Sequence, residues 1–189
     1  MKKGLKILLI ILAVILVITF PIISSYNNLV SLEQKVEQSA SNIDTNLQRR
    51  SDLIPNLVNT VKGYAAHEEE IFTDIAEARS KLAGATNVSE QADADSELSN
   101  ALSRLLVVVE KYPDLKANEN FIALSDELAG TENRIAIARQ DYNTVATQYN
   151  TKIRKFPTNI IASIFNFDEK PLYKADQGAS EVPKVDFAD

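Results

Sequence analysis

From Leu29 to Ile153 the apolar residues of this chain recur at steps of three and four, and very little interrupts them. That spacing draws one stripe along a helix and does not suit the alternation of a strand. Only five glycines and six prolines occur in 189 residues, roughly half the usual share. Few positions therefore oblige a helix to stop. A chain built this way is confined to long amphipathic helices that bury their stripes against one another, an all-α fold.

Four such stripes are legible. The first carries Leu29, Leu32, Val36, Ala40, Ile43 and Leu47. The second carries Ile54, Leu57, Val58, Val61, Tyr64, Ile71, Ile75, Ala78 and Leu82, and Gly84 ends it. Asn87 and Glu90 have the spacing of a capping box for the third, which shows Leu98, Ala101, Leu102, Leu105, Leu106, Val109 and Tyr112 and stops at Pro113. The fourth starts near Asn118, runs through Phe121, Leu124, Leu128, Ile135, Ala138, Tyr142, Val145, Tyr149 and Ile153, and ends at Phe156-Pro157. Gly130 is expected to interrupt it.

The segment RRSDLIP between the first two stripes supports two readings. In one it is a hairpin corner, with Arg49 and Arg50 at the negative end of a helix dipole, Asp52 as N-cap and Pro55 in the first turn, where no N–H is required. Arg49, Arg50 and Asp52 then stand at an exposed tip as candidate partner contacts. In the other, one long helix is kinked at Pro55, because the rhythm Leu47, Arg50, Ile54, Leu57 continues without a phase break.

Ahead of the stripes lies an apolar run from Ile7 to Ile23, broken only by Thr19 and Pro21. As a helix these residues span roughly 25 Å, close to the hydrocarbon thickness of a bilayer. Lys2, Lys3 and Lys6 precede the run, and the next cation is Lys35. That asymmetry places the N-terminus in the cytoplasm. A cleaved signal peptide is the rival reading, but the core is long for one and Ile23-Ser24-Ser25 fits an A-x-A-like site poorly. The formal net charge is −6, and it is −9 without those three lysines. So acidic a body is a poor partner for nucleic acid or for anionic lipid headgroups.

The chain has no cysteine and a single histidine, His67. Disulfides, thiolate metal sites and lipid modification of a cysteine are therefore excluded. The run HEEEI does not complete HExxH, because Ile71 stands where the second histidine belongs. No Glu-x-x-His pair exists for a di-iron site, since Tyr64 lies three residues before His67. His67 and Glu68 to Glu70 are expected on a solvated helix face. No nucleophile elbow, P-loop or dinucleotide fingerprint is present. Catalytic, metal and cofactor residues are accordingly expected to be none.

Arg104, Glu110, Glu132, Arg134, Arg139 and Asn143 flank the stripes and suit either surface ion pairs or subunit contacts. Asn87-Val88-Ser89 is a chance sequon. The apolar patch after the fourth stripe, with Phe156, Ile160, Ile161, Ile164 and Phe165, is a candidate membrane-interface segment, or else a cap on the open end of a bundle. Residues 168–189 are expected to be a flexible acidic tail, with Val185 to Phe187 as a possible docking element.

The chain also resembles the LemA family of bacterial membrane-anchored proteins. The resemblance covers nearly everything from Tyr26 to Phe167 and is carried by YNNLV (26–30), NIDTNLQRRSDLIPNLVNTVKGYAAHEEEI (42–71), EARS (77–80), the long segment 101–143, VATQYN (145–150) and FPTNIIASIFNF (156–167). Many members carry a tryptophan where this chain has Ala40. The resemblance implies one N-terminal membrane span followed by an antiparallel up-and-down four-helix bundle, and it favours the hairpin. It carries over no active site.

The expected organisation is thus an anchor over 1–25, a bundle over 26–167 and the tail beyond. The chain would be a single-pass protein of the bacterial inner membrane, held in the lipid bilayer by residues 7–23, with its bundle on the periplasmic or extracellular side. Its expected role is a non-enzymatic scaffold that forms a homo-oligomer or binds another envelope protein. The alternative is a sensor or regulatory subunit acting through a membrane partner.

Overall fold

A computed structural model describes residues 3–65 and 67–174. Among the described residues there are six helices and no strand: α1 (Lys3–Lys62), α2 (Glu69–Gly84), α3 (Val88–Val109), α4 (Pro113–Lys116), α5 (Glu119–Arg154) and α6 (Thr158–Ile164). The all-α expectation holds. The count differs from the four expected because the Pro113 turn closes into one helical turn and α6 forms inside the apolar patch. Val185 to Phe187, with the rest of the tail from 175, lie outside the described residues.

The largest correction concerns Pro55. No hairpin forms at RRSDLIP, and α1 runs through it to Lys62. A proline inside a helix leaves the carbonyl four residues earlier without a donor, here that of Ser51. Arg79 of α2 supplies the missing donor: its Nε donates to the Ser51 carbonyl at 3.1 Å and to Ser51 Oγ at 2.9 Å. With that carbonyl satisfied, the stripe Leu47, Arg50, Ile54, Leu57, Val61 stays in phase and buried. The real connection follows Lys62, where the Val61 carbonyl accepts from both Tyr64 and Ala65. His67 sits exposed in this turn rather than on a helix face.

Gly130 does not break α5 either. The helix is continuous from Glu119 to Arg154, and a Cβ at Gly130 would meet only the Arg134 guanidinium, at 3.8 Å. The cap expected at Asn87 is present, and Asn118 caps the start of α5. Asn87 Oδ1 accepts from Glu90 N–H at 3.0 Å, and Asn118 Oδ1 accepts from Phe121 N–H at 3.1 Å. Glu90 in turn accepts most strongly from the N–H and hydroxyl of Thr86.

The chain divides into two compact units. Among the described residues, the first takes those up to Ile43 together with Ala138–Lys170; the second takes Asp44–Ile137 and 171–174. In the first unit α1 buries Leu29, Val36 and Ile43 at heptad steps, and α5 buries Ala138, Tyr142, Ala146, Tyr149 and Ile153. Residues 168–170, expected to be free, are tied to this core. Lys170 N–H donates to Asn150 Oδ1 at 2.9 Å, and its carbonyl accepts from Asn150 Nδ2 at 2.8 Å. Lys170 Nζ pairs with Glu33 at 2.7 Å and lies 5.6 Å from the Tyr149 ring centre, while Arg154 pairs with Glu169.

In the second unit the cross-helix contacts give the helix directions. Lys81–Glu97 and Arg104–Asp74 set α2 and α3 antiparallel. Ser51–Arg79 and Lys62 over the Phe72 ring set α1 and α2 antiparallel. Asp44–Gln91 and Arg50–Ser99 run parallel from α1 to α3. Arg50–Glu132, with Tyr64–Asn118 just past the end of α1 and just ahead of α5, sets α1 and α5 antiparallel. Tyr173, also in the expected tail, is buried in this unit and donates its hydroxyl to Gln91.

Candidate functional site

Arg49, Arg50 and Asp52 do not form a tip, because the helix continues past them. Their environments diverge. Arg50 is buried within the second unit, its Nη1 lying 2.5 Å from Asp95 Oδ1 and 2.8 Å from Glu132 Oε2, and its Nη2 donating to Ser99 Oγ at 2.9 Å. Asp95 is as deeply buried as its partner, whereas Glu132 is half-exposed. Arg49 is exposed and pairs with Glu127 at 2.6 Å; the same Glu127 oxygen meets Arg134 at 3.0 Å. Asp52 is exposed and accepts from Gln48.

Of the charges flanking the stripes, Arg104, Glu110, Glu132 and Arg134 all form intramolecular ion pairs. Asp95 is a residue that sequence reasoning misses. Its signal was present, because it lies three residues before Leu98 on the third stripe, as Arg50 lies three after Leu47 on the first. Two opposite charges on two apolar stripes can be buried together only as a pair.

The second candidate surface lies in the first unit. Along α1 the large apolar side chains between Leu5 and Ile23 are uncovered wherever they are described, with Val17 and Phe20 among the most exposed. One helix is thus long and apolar enough to cross a membrane. Just past Ile23, the Tyr26 ring lies 4.8 Å from that of Phe165 and 5.7 Å from that of Phe167. These contacts bring the end of α6 beside the point where the apolar run ends.

The candidate patch residues sort onto two sides of α6. Ile161, with Thr158 and Ala162, is buried. Ile160 and Ile164, one helical turn apart, are 52% and 66% exposed, and Phe156, just ahead of the helix, is 80% exposed. Phe165 is half-exposed. The helix closes on Asn166 at φ 56°, a left-handed conformation that asparagine tolerates. The following Phe167 N–H then reaches back to the Ala162 carbonyl at 2.9 Å, the closure of a Schellman-type end. This end directs the chain back toward Tyr26.

Among the described residues no group of acidic or histidine side chains is placed to hold a metal ion. The fold and these surfaces define a class: an all-helical protein with one helix of membrane-spanning length and apolarity. Within that class the chain belongs to the LemA family, whose model matches residues 39–187. It is similar to magnetosome protein MamQ 2 of Paramagnetospirillum magneticum, 29% identical over 94% of this chain and 75% of that protein. Magnetosome protein MamQ of Magnetospirillum gryphiswaldense is 26% identical over 98% of this chain and 78% of its own length. Protein LemA of Metamycoplasma hominis is 27% identical over 88% and 75%.

Proposed function

We propose that this chain is a non-enzymatic helical scaffold of the bacterial envelope, anchored in the inner membrane by a single span over residues 7–23. The N-terminus lies in the cytoplasm. The long helical segments form an antiparallel up-and-down bundle on the other side, which self-associates or binds another envelope protein. The observation that carries this reading is the uncovered apolar stretch of α1, continuous with a helix whose later residues build a buried core. The alternating helix directions in the second unit support the bundle, and Lys2, Lys3 and Lys6 ahead of the span support the orientation.

Confinement to a membrane raises the effective concentration of the exposed faces, so that weak contacts suffice for assembly. Arg49 and Asp52 belong to the surface open to a partner; Arg50, being buried, does not. The expected outcome is a defined oligomer when detergent-solubilised protein is measured by light scattering. A strictly monomeric mass in several detergents, with no protein partner captured by crosslinking in native membranes, would overturn the reading.

A further inference from the structure

We infer that α6 is a second membrane contact: its outer side rests in the interfacial layer of the same leaflet from which α1 emerges. The inference rests on the proposed anchoring by α1 and deepens it. Three observations on the first unit carry it. The exposed residues Phe156, Ile160 and Ile164 are large and apolar, and the two isoleucines share one side of α6. The opposite side, Ile161 and Ala162, is seated in the protein, so the exposed side cannot be covered by that core. Lastly, Phe165 and Phe167 touch Tyr26, which follows Ile23 by three residues, or about 4.5 Å of helix rise.

The patch therefore borders the end of the span, and the bilayer is the apolar phase that reaches it. Aromatic rings belong at that depth, with their apolar bodies in the acyl boundary and any polar edge toward water. Lys155, exposed beside Phe156, is placed to meet lipid phosphate. An amphipathic helix of this kind lies in the plane of the interface rather than crossing it.

The absence of native cysteine allows single-site labelling. The full chain is reconstituted in vesicles of phosphatidylethanolamine and phosphatidylglycerol, as Ile160→Cys, Ile164→Cys, Ile15→Cys and Gln38→Cys variants carrying an environment-sensitive fluorophore. Some vesicles contain lipids spin-labelled near the headgroup, and others contain lipids labelled deep in the acyl chain. Gln38 is exposed on α1 and lies about 22 Å beyond Ile23 by helix rise, so it reports water.

The headgroup-level quencher is expected to reduce emission at 160 and 164 at least about twofold more than at 38, with a blue shift at both. Quenching at 160 and 164 no greater than at 38 would overturn the inference. So would self-quenching between labelled copies without lipid quenching, which would assign the face to a second copy of the chain. The deep quencher at position 15 tests the anchor separately. If 15 is quenched and 164 is not, the second contact fails while the anchor stands; if 15 is not quenched, the anchoring itself fails. Both probe sites on α6 are exposed, and circular dichroism verifies that each variant keeps its helix content.

Discussion

At the scale of single residues, the Arg50–Asp95 pair is the most consequential feature of the second unit. Both side chains are nearly inaccessible, and Arg50 Nε is buried without a hydrogen-bond partner among the described residues. Such a pair costs desolvation energy on each side and recovers it only while both members remain. Asp95→Ala is therefore expected to destabilise the protein by about 3–5 kcal/mol. Replacing both, as Arg50→Met with Asp95→Leu, is expected to recover most of that loss. Glu132→Gln, at the half-exposed end, should cost under about 1 kcal/mol. Denaturant titration of the solubilised protein, followed by circular dichroism, checks the order of the three. A double variant no more stable than Asp95→Ala would show that the pair is not balanced in this way.

Tyr149 makes the opposite case. Its hydroxyl is buried without a hydrogen-bond partner among the described residues. Burial, reinforced by the Glu33 and Asp168 carboxylates, pushes its pKa up from 10 to about 12. The folded chain thus keeps the proton more tightly than the unfolded one. The associated stability is fully present below pH 10 and is lost as pH rises toward about 12. Tyr149→Phe is expected to match or exceed the wild type in stability at neutral pH, since an unpaired buried hydroxyl is removed, and to lose part of the alkaline decline. A variant melting curve with the same fall in this alkaline range would place the effect elsewhere.

At the scale of elements, α1 depends on α2 at one atom. Arg79 compensates for the donor that Pro55 lacks, so the two positions should be energetically coupled. Arg79→Ala is expected to cost about 1–3 kcal/mol, because it strands the Ser51 carbonyl. In a Pro55→Ala background the restored N–H can serve that carbonyl, and the same substitution should cost under about 1 kcal/mol. Additive losses in this double-mutant cycle would rule out the compensation. The example also marks a limit of sequence reading. The cap at Asn87 was legible because donor and acceptor lie three residues apart. The continuation through Pro55 was not, because the rescuing guanidinium lies 28 residues away in sequence. The unbroken rhythm through Arg50 was the local sign that favoured the continuous helix.

At the scale of the whole molecule, periodicity disclosed most of what is buried. The stripe residues Leu29, Val36, Ile43, Leu98, Leu105, Ile135 and Tyr149 are core residues in the structure. The large apolar side chains before Tyr26 are uncovered wherever they are described, as a span requires. The split of α1 and α5 between two units had no counterpart in the pattern, since the stripes pass Ile43 and Ile137 without a gap. The α6 patch was visible as composition, but only the ring contacts with Tyr26 place it beside the span's end. Docking of residues 168–173 left almost no trace, because it relies on Lys170, on Tyr173 and on main-chain atoms rather than on a stripe.

That docking has an evolutionary side. The Asn150 amide engages the N–H and the C=O of one residue, both of which belong to the backbone. Any residue except proline can present that pair of groups. Position 170 is therefore free to drift as far as Asn150 is concerned, and among the described residues Glu33 and the Tyr149 ring favour lysine there. Among relatives, the asparagine that reads the chain should be kept more strictly than the residue it reads.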